Sequence, residues 1–223
     1  MRSNTPSENT SENQAEAFFA EKLRAQLPRG FEAFREASDQ FKKTPISLAP
    51  LEAVLLQTLV RAHGGKKWVE IGTLTGFSGY CLVQASAGHL WTFEKDPAHA
   101  ARARELFLQK NLSDHVTVIQ GDAEQTLPSI ESLGPFDGIF IDGNKGAYLA
   151  YLQWAMKNLR PGALIIADNI YLGGAIWSSG ADPKWSASVV QKMQEFLNLL
   201  FDPRSFTSSL APTSEGLAIA LLK

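Results

Sequence analysis

Three oxygen-bearing side chains in two short stretches define the chemistry open to this chain. Asp142 closes the apolar run of Phe140-Ile141-Asp142-Gly143-Asn144-Lys145, and Asp168-Asn169 closes that of Leu164-Ile165-Ile166-Ala167-Asp168-Asn169. If the two runs are neighbouring strands, about 4.8 Å apart, two carboxylates and an amide oxygen meet at the edge where open α/β sheets bind ligands. With no Cys or His nearby, that set suits a hard divalent cation, Mg2+ first, with Mn2+ and Ca2+ as the other candidates, and argues against zinc. Taken singly, Asp142 reads as the start of a turn and Asp168 as a helix cap; both at adjacent strand ends favour a site. Lys145 follows closely enough to share it. A lysine ordinarily titrates near ~10.4, too high for a base at neutral pH, but a neighbouring cation disfavours the ammonium form. Lys145 is therefore the candidate general base, although alone it would read as a solvated first-turn lysine.

A second group lies upstream in Val69-Glu70-Ile71-Gly72-Thr73-Leu74-Thr75-Gly76-Phe77-Ser78-Gly79. Glycines between a strand and a helix let a ligand approach the backbone, and the helix start offers unpaired N–H groups. The dinucleotide fingerprint needs glycine where Leu74 stands, and the phosphate-loop Gly-Lys-Ser/Thr is absent. What remains is a loop with one acid, Glu70, closing its strand and a second, Glu94, at the end of the next. An acid at that second strand end is placed to accept hydrogen bonds from the two hydroxyls of a ribose; the bland reading is a solvated surface glutamate. Gly121-Asp122-Ala123, after the third strand, would then lie along the adenine, although by itself it is an ordinary turn.

The elements needed to position these residues are legible. Lys67–Ile71, Leu90–Phe93, Val116–Ile119, Gly138–Ile141 and Leu164–Ala167 read as strands, each followed by a helix-length stretch. That alternation predicts a parallel sheet with helices on both faces. Asp96-Pro97 supplies an N-cap and a first-turn proline for a helix over Ala98–Lys110, and Arg160-Pro161-Gly162 is expected to close the helix beginning near Gly146. Upstream, Ala17, Phe18, Phe19, Leu23 and Leu27 predict an apolar helix face stopped by Pro28-Arg29-Gly30, and Leu51 to Ala62 a second helix ended by His63-Gly64-Gly65. Val189 to Leu200 marks a last helix, followed by strand-like Ser205–Leu210 and Leu217–Leu222. Phe77, Tyr171, Trp177 and Trp185 are candidates for an aromatic wall near the site, though such residues are more often core or dimer contacts.

Composition narrows the function classes. The chain has 223 residues, 21 Lys+Arg against 23 Asp+Glu, a net charge of −2, 44% hydrophobic residues and one cysteine, Cys81. That balance argues against nucleic acid or a membrane surface as partner, and a single cysteine excludes an intrachain disulfide. Residues 1–14 are Ser/Asn/Thr/Glu-rich and read as a disordered tail, and 15–223 as one domain with an N-terminal helical extension. The absence of a long apolar run or leader-like N-terminus makes a cytoplasmic protein the expectation.

The motifs together resemble those of a known family. Glu70 to Ser78, Phe140-Ile141-Asp142-Gly143-Asn144-Lys145-Gly146-Ala147-Tyr148, Ala167-Asp168-Asn169 and the terminal Glu215-Gly216-Leu217 are similar to those of the cation-dependent class I S-adenosylmethionine O-methyltransferases, the group of catechol and caffeoyl-coenzyme A O-methyltransferases. The resemblance runs from about Ala15 to Lys223. It implies a Rossmann-like, seven-stranded, mostly parallel sheet ending in an antiparallel hairpin. It further implies that Glu70, Gly72, Ser78, Glu94, Ala123 and Asp142 line the S-adenosylmethionine pocket, that Asp142, Asp168 and Asn169 bind the cation, that Lys145 is the base and that the protein is a homodimer. The chain departs from the family pattern at Gly143 and Asn144, at Leu48 (with Ser47 beside it), at Ala53, and at Ser214-Glu215-Gly216, where Gly-Asp-Gly is usual.

The expected reaction is methyl transfer to a small aromatic vicinal diol. A tRNA-modifying enzyme of the same fold is the alternative, which the acidic balance disfavours. A nicotinamide-dependent oxidoreductase is weakened by Leu74, and a non-catalytic binding module by the complete ligand set.

Overall fold

Strand alternation decides which layer each side chain joins. In the computed structural model, which describes residues 18–42, 48–178 and 184–223, the first strand, β1 (Lys67–Ile71), sends Trp68 into one core and Val69 and Ile71 into another. The same division holds for Phe140 against Ile139 and Ile141, and for Leu164 and Ile166 against Ile165 and Ala167. Strands buried on both faces read as continuous apolar runs, as parallel strands covered by helices do.

The remaining strands are β2 (His89–Glu94), β3 (Val116–Gln120), β4 (Phe136–Ile141), β5 (Leu159–Ala167), β6 (Phe206–Ala211) and β7 (Leu217–Leu222). They form one seven-stranded sheet in the order β3-β2-β1-β4-β5-β7-β6. β1 to β5 run parallel, whereas β7 is antiparallel to β5 and β6 to β7. This is the expected Rossmann-like sheet with its C-terminal antiparallel hairpin. The order reverses between β1 and β4, and the crevice outside the carboxyl ends of those strands is where such sheets bind ligands.

The helices are α1 (Glu32–Gln40), α2 (Pro50–His63), α3 (Phe77–Ser86), α4 (Pro97–Gln109), the short α5 (Ala123–Thr126), α6 (Tyr148–Asn158) and α7 (Ala187–Leu200). Asp96 caps α4, accepting from the N–H groups of Ala98 and His99 ahead of the first-turn Pro97. Gly64 ends α2 in the left-handed conformation, φ +77°, which glycine adopts without steric cost. Residues from α1 to α4 pack in the core that holds Trp68, and those from α6 and α7 in the core that holds Ile139 and Ile141.

Three local expectations need correction. The helix placed near Gly146 begins as a 3-10 turn, Lys145–Ala147, and continues as α6 only to Asn158. Arg160-Pro161-Gly162 therefore does not close it but lies in β5, whose pairing with β4 is irregular between Phe136 and Gly138. In the N-terminal apolar face Leu27 is buried, yet Phe18 and Phe19, in the helical stretch 18–24, are 61% and 53% exposed. The tail at 1–14, Ala17 and Ser47 lie outside the described residues. Among the described residues no helix is long and apolar enough to cross a membrane.

Candidate active site

The ends of β4 and β5 are level. Ile141 pairs with Ala167, the Asp142 N–H donates to the Ile71 carbonyl at 2.9 Å, and the Asp168 N–H donates to the Ile141 carbonyl at 3.0 Å. Three neighbouring strands thus deliver Gly72, Asp142 and Asp168 to one edge. The Lys145 ammonium gathers the cluster, since Nζ donates to Asp142 Oδ1 at 2.9 Å, to Tyr148 Oη at 2.6 Å and to Asn169 Oδ1 at 3.2 Å. Tyr148, fully buried, donates in turn to the Asp168 carbonyl at 2.9 Å. Asp168 is 2% exposed, and its carboxyl is pushed up to about 7 by burial first and by the Asp142 charge second, with Lys145 pulling the other way.

At the other end of the edge, Glu94 is held by backbone. Leu74 N–H donates to Oε2 at 2.7 Å and Asp96 N–H to Oε1 at 2.8 Å, while His99 Nδ1 lies 3.8 Å from Oε1. A carboxylate oxygen accepts about two hydrogen bonds, so each retains capacity for one hydroxyl of a ribose. Leu74 takes φ +49°, and its N–H is spent on Glu94 rather than free for a phosphate. Gly72, at φ +101°, has no room for a side chain: a Cβ there would lie 2.1 Å from the Asp142 carbonyl oxygen. The start of α3 has no side-chain cap, so its first-turn donors face the loop side unclaimed by side chains.

These residues share a cavity of about 840 Å3 along the carboxyl edge. Gly72, Ser78, Glu94, Asp122, Ala123, Asp142, Lys145, Asp168 and Asn169 all line it. Asp122 also caps α5 through the Glu124 N–H and pairs with Lys95 at 2.9 Å.

Glu70 is the exception, lying off the cavity wall at 0% exposure. Strand alternation turns it toward α3, where Gly79 makes room: a Cβ on Gly79 would lie 2.8 Å from Glu70 Oε2. Thr92 Oγ1 donates to that oxygen at 2.5 Å, whereas Oε1 has no hydrogen-bond partner. Burial raises the Glu70 carboxyl to about 7, against the smaller lowering effect of the Ser78 and Thr92 hydroxyls.

Of the four aromatic candidates, Phe77 and Trp185 line the cavity. Tyr171 instead packs on Gly216 and edge-on against Trp177, which is 66% exposed. Sequence reasoning missed Tyr148, His99 and Glu52. Tyr148 carried a usable signal, its spacing of three from Lys145, which puts residues of one helical turn side by side. Glu52 lines the cavity while accepting from the Ala49 N–H at the start of α2, and no motif marked it.

The donor set fits a hard cation. Among the described residues no three His, Cys, Asp or Glu side chains gather to hold a metal, so such a site rests on two carboxylates and one amide oxygen. Asp142 Oδ1 and Asn169 Oδ1 already point at one positive charge, that of Lys145. Oxygen donors of this kind match Mg2+ or Mn2+. The cradle at Gly72 and the remaining acceptor capacity of Glu94 fit a nucleoside with a charged tail.

Comparison with known proteins gives a consistent result. The family model described as O-methyltransferase matches residues 22–223. The catechol O-methyltransferase of Mycobacterium tuberculosis is 35% identical over 191 residues, covering 84% of this chain and 86% of that protein. That of Niastella koreensis is 34% identical over 187 residues, covering 80% and 83%. Among solved structures, the O-methyltransferase from Bacillus cereus in complex with SAH superposes with a TM-score of 0.79 at 31% identity, covering 94% of this chain and 97% of that one. TomG from Streptomyces achromogenes, solved with SAM, has a TM-score of 0.79 at 28% identity, covering 88% and 90%.

Proposed function

Because the chain belongs to the O-methyltransferase family, as an S-adenosylmethionine-dependent enzyme, we propose that it methylates one hydroxyl of a small aromatic vicinal diol, with a divalent cation held by Asp142, Asp168 and Asn169. The observation that carries this reading is the convergence of Asp142 Oδ1 and Asn169 Oδ1 on Lys145 Nζ, beside Asp168, in the same cavity as Glu94.

Each group has a task. Glu94, held by Leu74 and Asp96, accepts from the ribose hydroxyls; Ala123 and Asp122 lie along the adenine; Gly72 lets the methionine portion approach the backbone. Asp142, Asp168 and Asn169 hold the cation, Mg2+ by preference. When bound, that ion supplies a Lewis acid and a template for two adjacent hydroxyl oxygens. Lys145 would receive the proton of the reacting hydroxyl at Nζ as a neutral amine, formed once its ammonium has released one proton to solvent; the freed lone pair then replaces one of its present donations to Asp142 or Asn169. Phe77 and Trp185 supply flat apolar surface for an aromatic ring. The protein's main contribution is alignment of the acceptor oxygen with the methyl group, a proximity effect of up to roughly 7–11 kcal/mol in well-oriented systems.

We also propose that two copies of the chain pair as a homodimer. The exposed Phe18 and Phe19 are apolar surface available to such a contact, and light scattering of the purified protein checks it.

The test of function is mass-spectrometric detection of methylated product from a panel of catechol-type acceptors with S-adenosylmethionine, with Mg2+ and with a chelator. Product in the Mg2+ arm alone is expected. Equal product in both arms overturns the cation; S-adenosylmethionine binding without product in either arm overturns the acceptor class.

A further inference from the structure

The loop after Asn169 holds backbone conformations that side chains other than glycine rarely adopt. Asn169 has φ +55° and Leu172 φ +52°, followed by Gly173 and Gly174 at +62° and +92°. Such conformations persist where the surroundings over-determine them. Here the surroundings are the turn between β6 and β7. The Ile170 N–H donates to the Gly216 carbonyl at 3.2 Å, the Tyr171 N–H to the Glu215 carbonyl at 2.9 Å, and the Gly173 N–H to Glu215 Oε2 at 3.0 Å. The Tyr171 ring lies over Gly216, where a Cβ would meet ring carbons at 2.4–2.7 Å. Of the three hydrogen bonds, only the last depends on which side chain residue 215 carries.

We propose that Glu215 is a positioning residue for the cation end of the cavity. Its carboxylate ties Gly173, which fixes the loop that presents Asn169 Oδ1 toward Asp142 and sets Leu172 into the cavity wall. Glu215 and Leu172 both line that cavity. The chain has Ser214-Glu215-Gly216 at this turn, and the reach of glutamate spans from the turn to Gly173; an aspartate is one methylene shorter. This assignment rests on the reading of Asn169 as a cation ligand.

The experiment is Mn2+ titration of the full chain by electron paramagnetic resonance, with hydrogen exchange at the Gly173 amide and thermal unfolding measured on the same samples. Residues that orient metal ligands typically change affinity by 10–100-fold when lost. Glu215→Ala and Glu215→Asp are therefore expected to weaken Mn2+ about tenfold and to speed exchange at Gly173. Glu215→Gln, whose amide oxygen accepts the same N–H, is expected to stay within about twofold of the wild type. Wild-type affinity in Glu215→Ala overturns the proposal, as does a Gln variant that falls as far as Ala. A matching loss of thermal stability and affinity in all three variants reduces Glu215 to a structural role and overturns it too. A wild type that binds no Mn2+ overturns the cation reading itself and this proposal with it, an outcome distinct from a binding wild type whose affinity the substitutions leave unchanged.

Discussion

Asp142 and Asp168 leave neighbouring parallel strands at the same level, each one residue beyond the paired Ile141 and Ala167. Two carboxylates so placed repel one another, and the more buried of them, Asp168, has its carboxyl raised to about 7. The divalent cation proposed to sit between them would relieve that repulsion.

Removing Asp168 separates cofactor binding from turnover. Asp168→Ala deletes one of the three proposed cation ligands but leaves Glu94, Gly72 and Ala123 in place. Turnover is expected to fall on the order of 100-fold or more, while calorimetric affinity for S-adenosylhomocysteine without metal changes little. A variant that turns over as fast as the wild type would remove Asp168 from the mechanism.

Lys145 has a different signature. Losing a positioned base typically costs on the order of 10²–10⁴-fold, so Lys145→Ala should lower kcat by that order with Mn2+ binding retained. Tyr148→Phe removes one acceptor of Lys145 and the donor to the Asp168 carbonyl, and an intermediate kcat is expected. Stopped-flow turnover of the two variants side by side checks this, and wild-type kcat in Lys145→Ala would eliminate it as the base.

Gly72 has no tolerance for a side chain. Its φ of +101° is a conformation glycine alone adopts freely, and a Cβ would lie 2.1 Å from backbone oxygen, an atom that moves only with β4. Gly72→Ala should destabilise the protein by at least about 1–3 kcal/mol and reduce S-adenosylhomocysteine affinity. Urea unfolding with a parallel binding titration tests both; an Ala variant of wild-type stability would contradict the close approach.

The sequence carried most of this site because strand ends announce themselves. A run such as Leu164 to Ala167 followed by Asp168-Asn169 gives both the element and its carboxyl terminus, and the parallel order then places ligands by register. Side-chain parity at the penultimate residue of a strand is harder to read, and the end of β1 is Ile71, not Glu70. Glu70 is adjacent to the glycine loop in sequence, yet alternation turns it under α3, and seeing this requires knowing which face Gly79 leaves open. Arg160-Pro161-Gly162 misled for a related reason. Proline and glycine end helices, but these residues follow Asn158, where the chain has already turned extended into β5 beside Phe136. Trp177 and Tyr171 pair with each other, a tertiary choice that spacing does not encode.

The burial of Glu70 predicts a pH dependence of stability. In the unfolded chain a glutamate titrates near 4.5, and in the fold this one is raised to about 7. Between those values the native state holds a proton that the unfolded state has lost, so stability is greatest below about pH 4.5 as far as this group is concerned and declines as pH rises through about 7. The full change amounts to about 3 kcal/mol. Glu70→Gln keeps the shape without the titration, so its stability relative to wild type should rise progressively from pH 5 to pH 8. Asp168 is raised in the same sense, but it is present in both proteins and cancels in the difference. Urea unfolding of the pair at pH 5 and pH 8, with chelator throughout, measures that difference. A stability gap independent of pH would mean that Glu70 is ionised in the fold, with its charge compensated by the Ser78 and Thr92 hydroxyls.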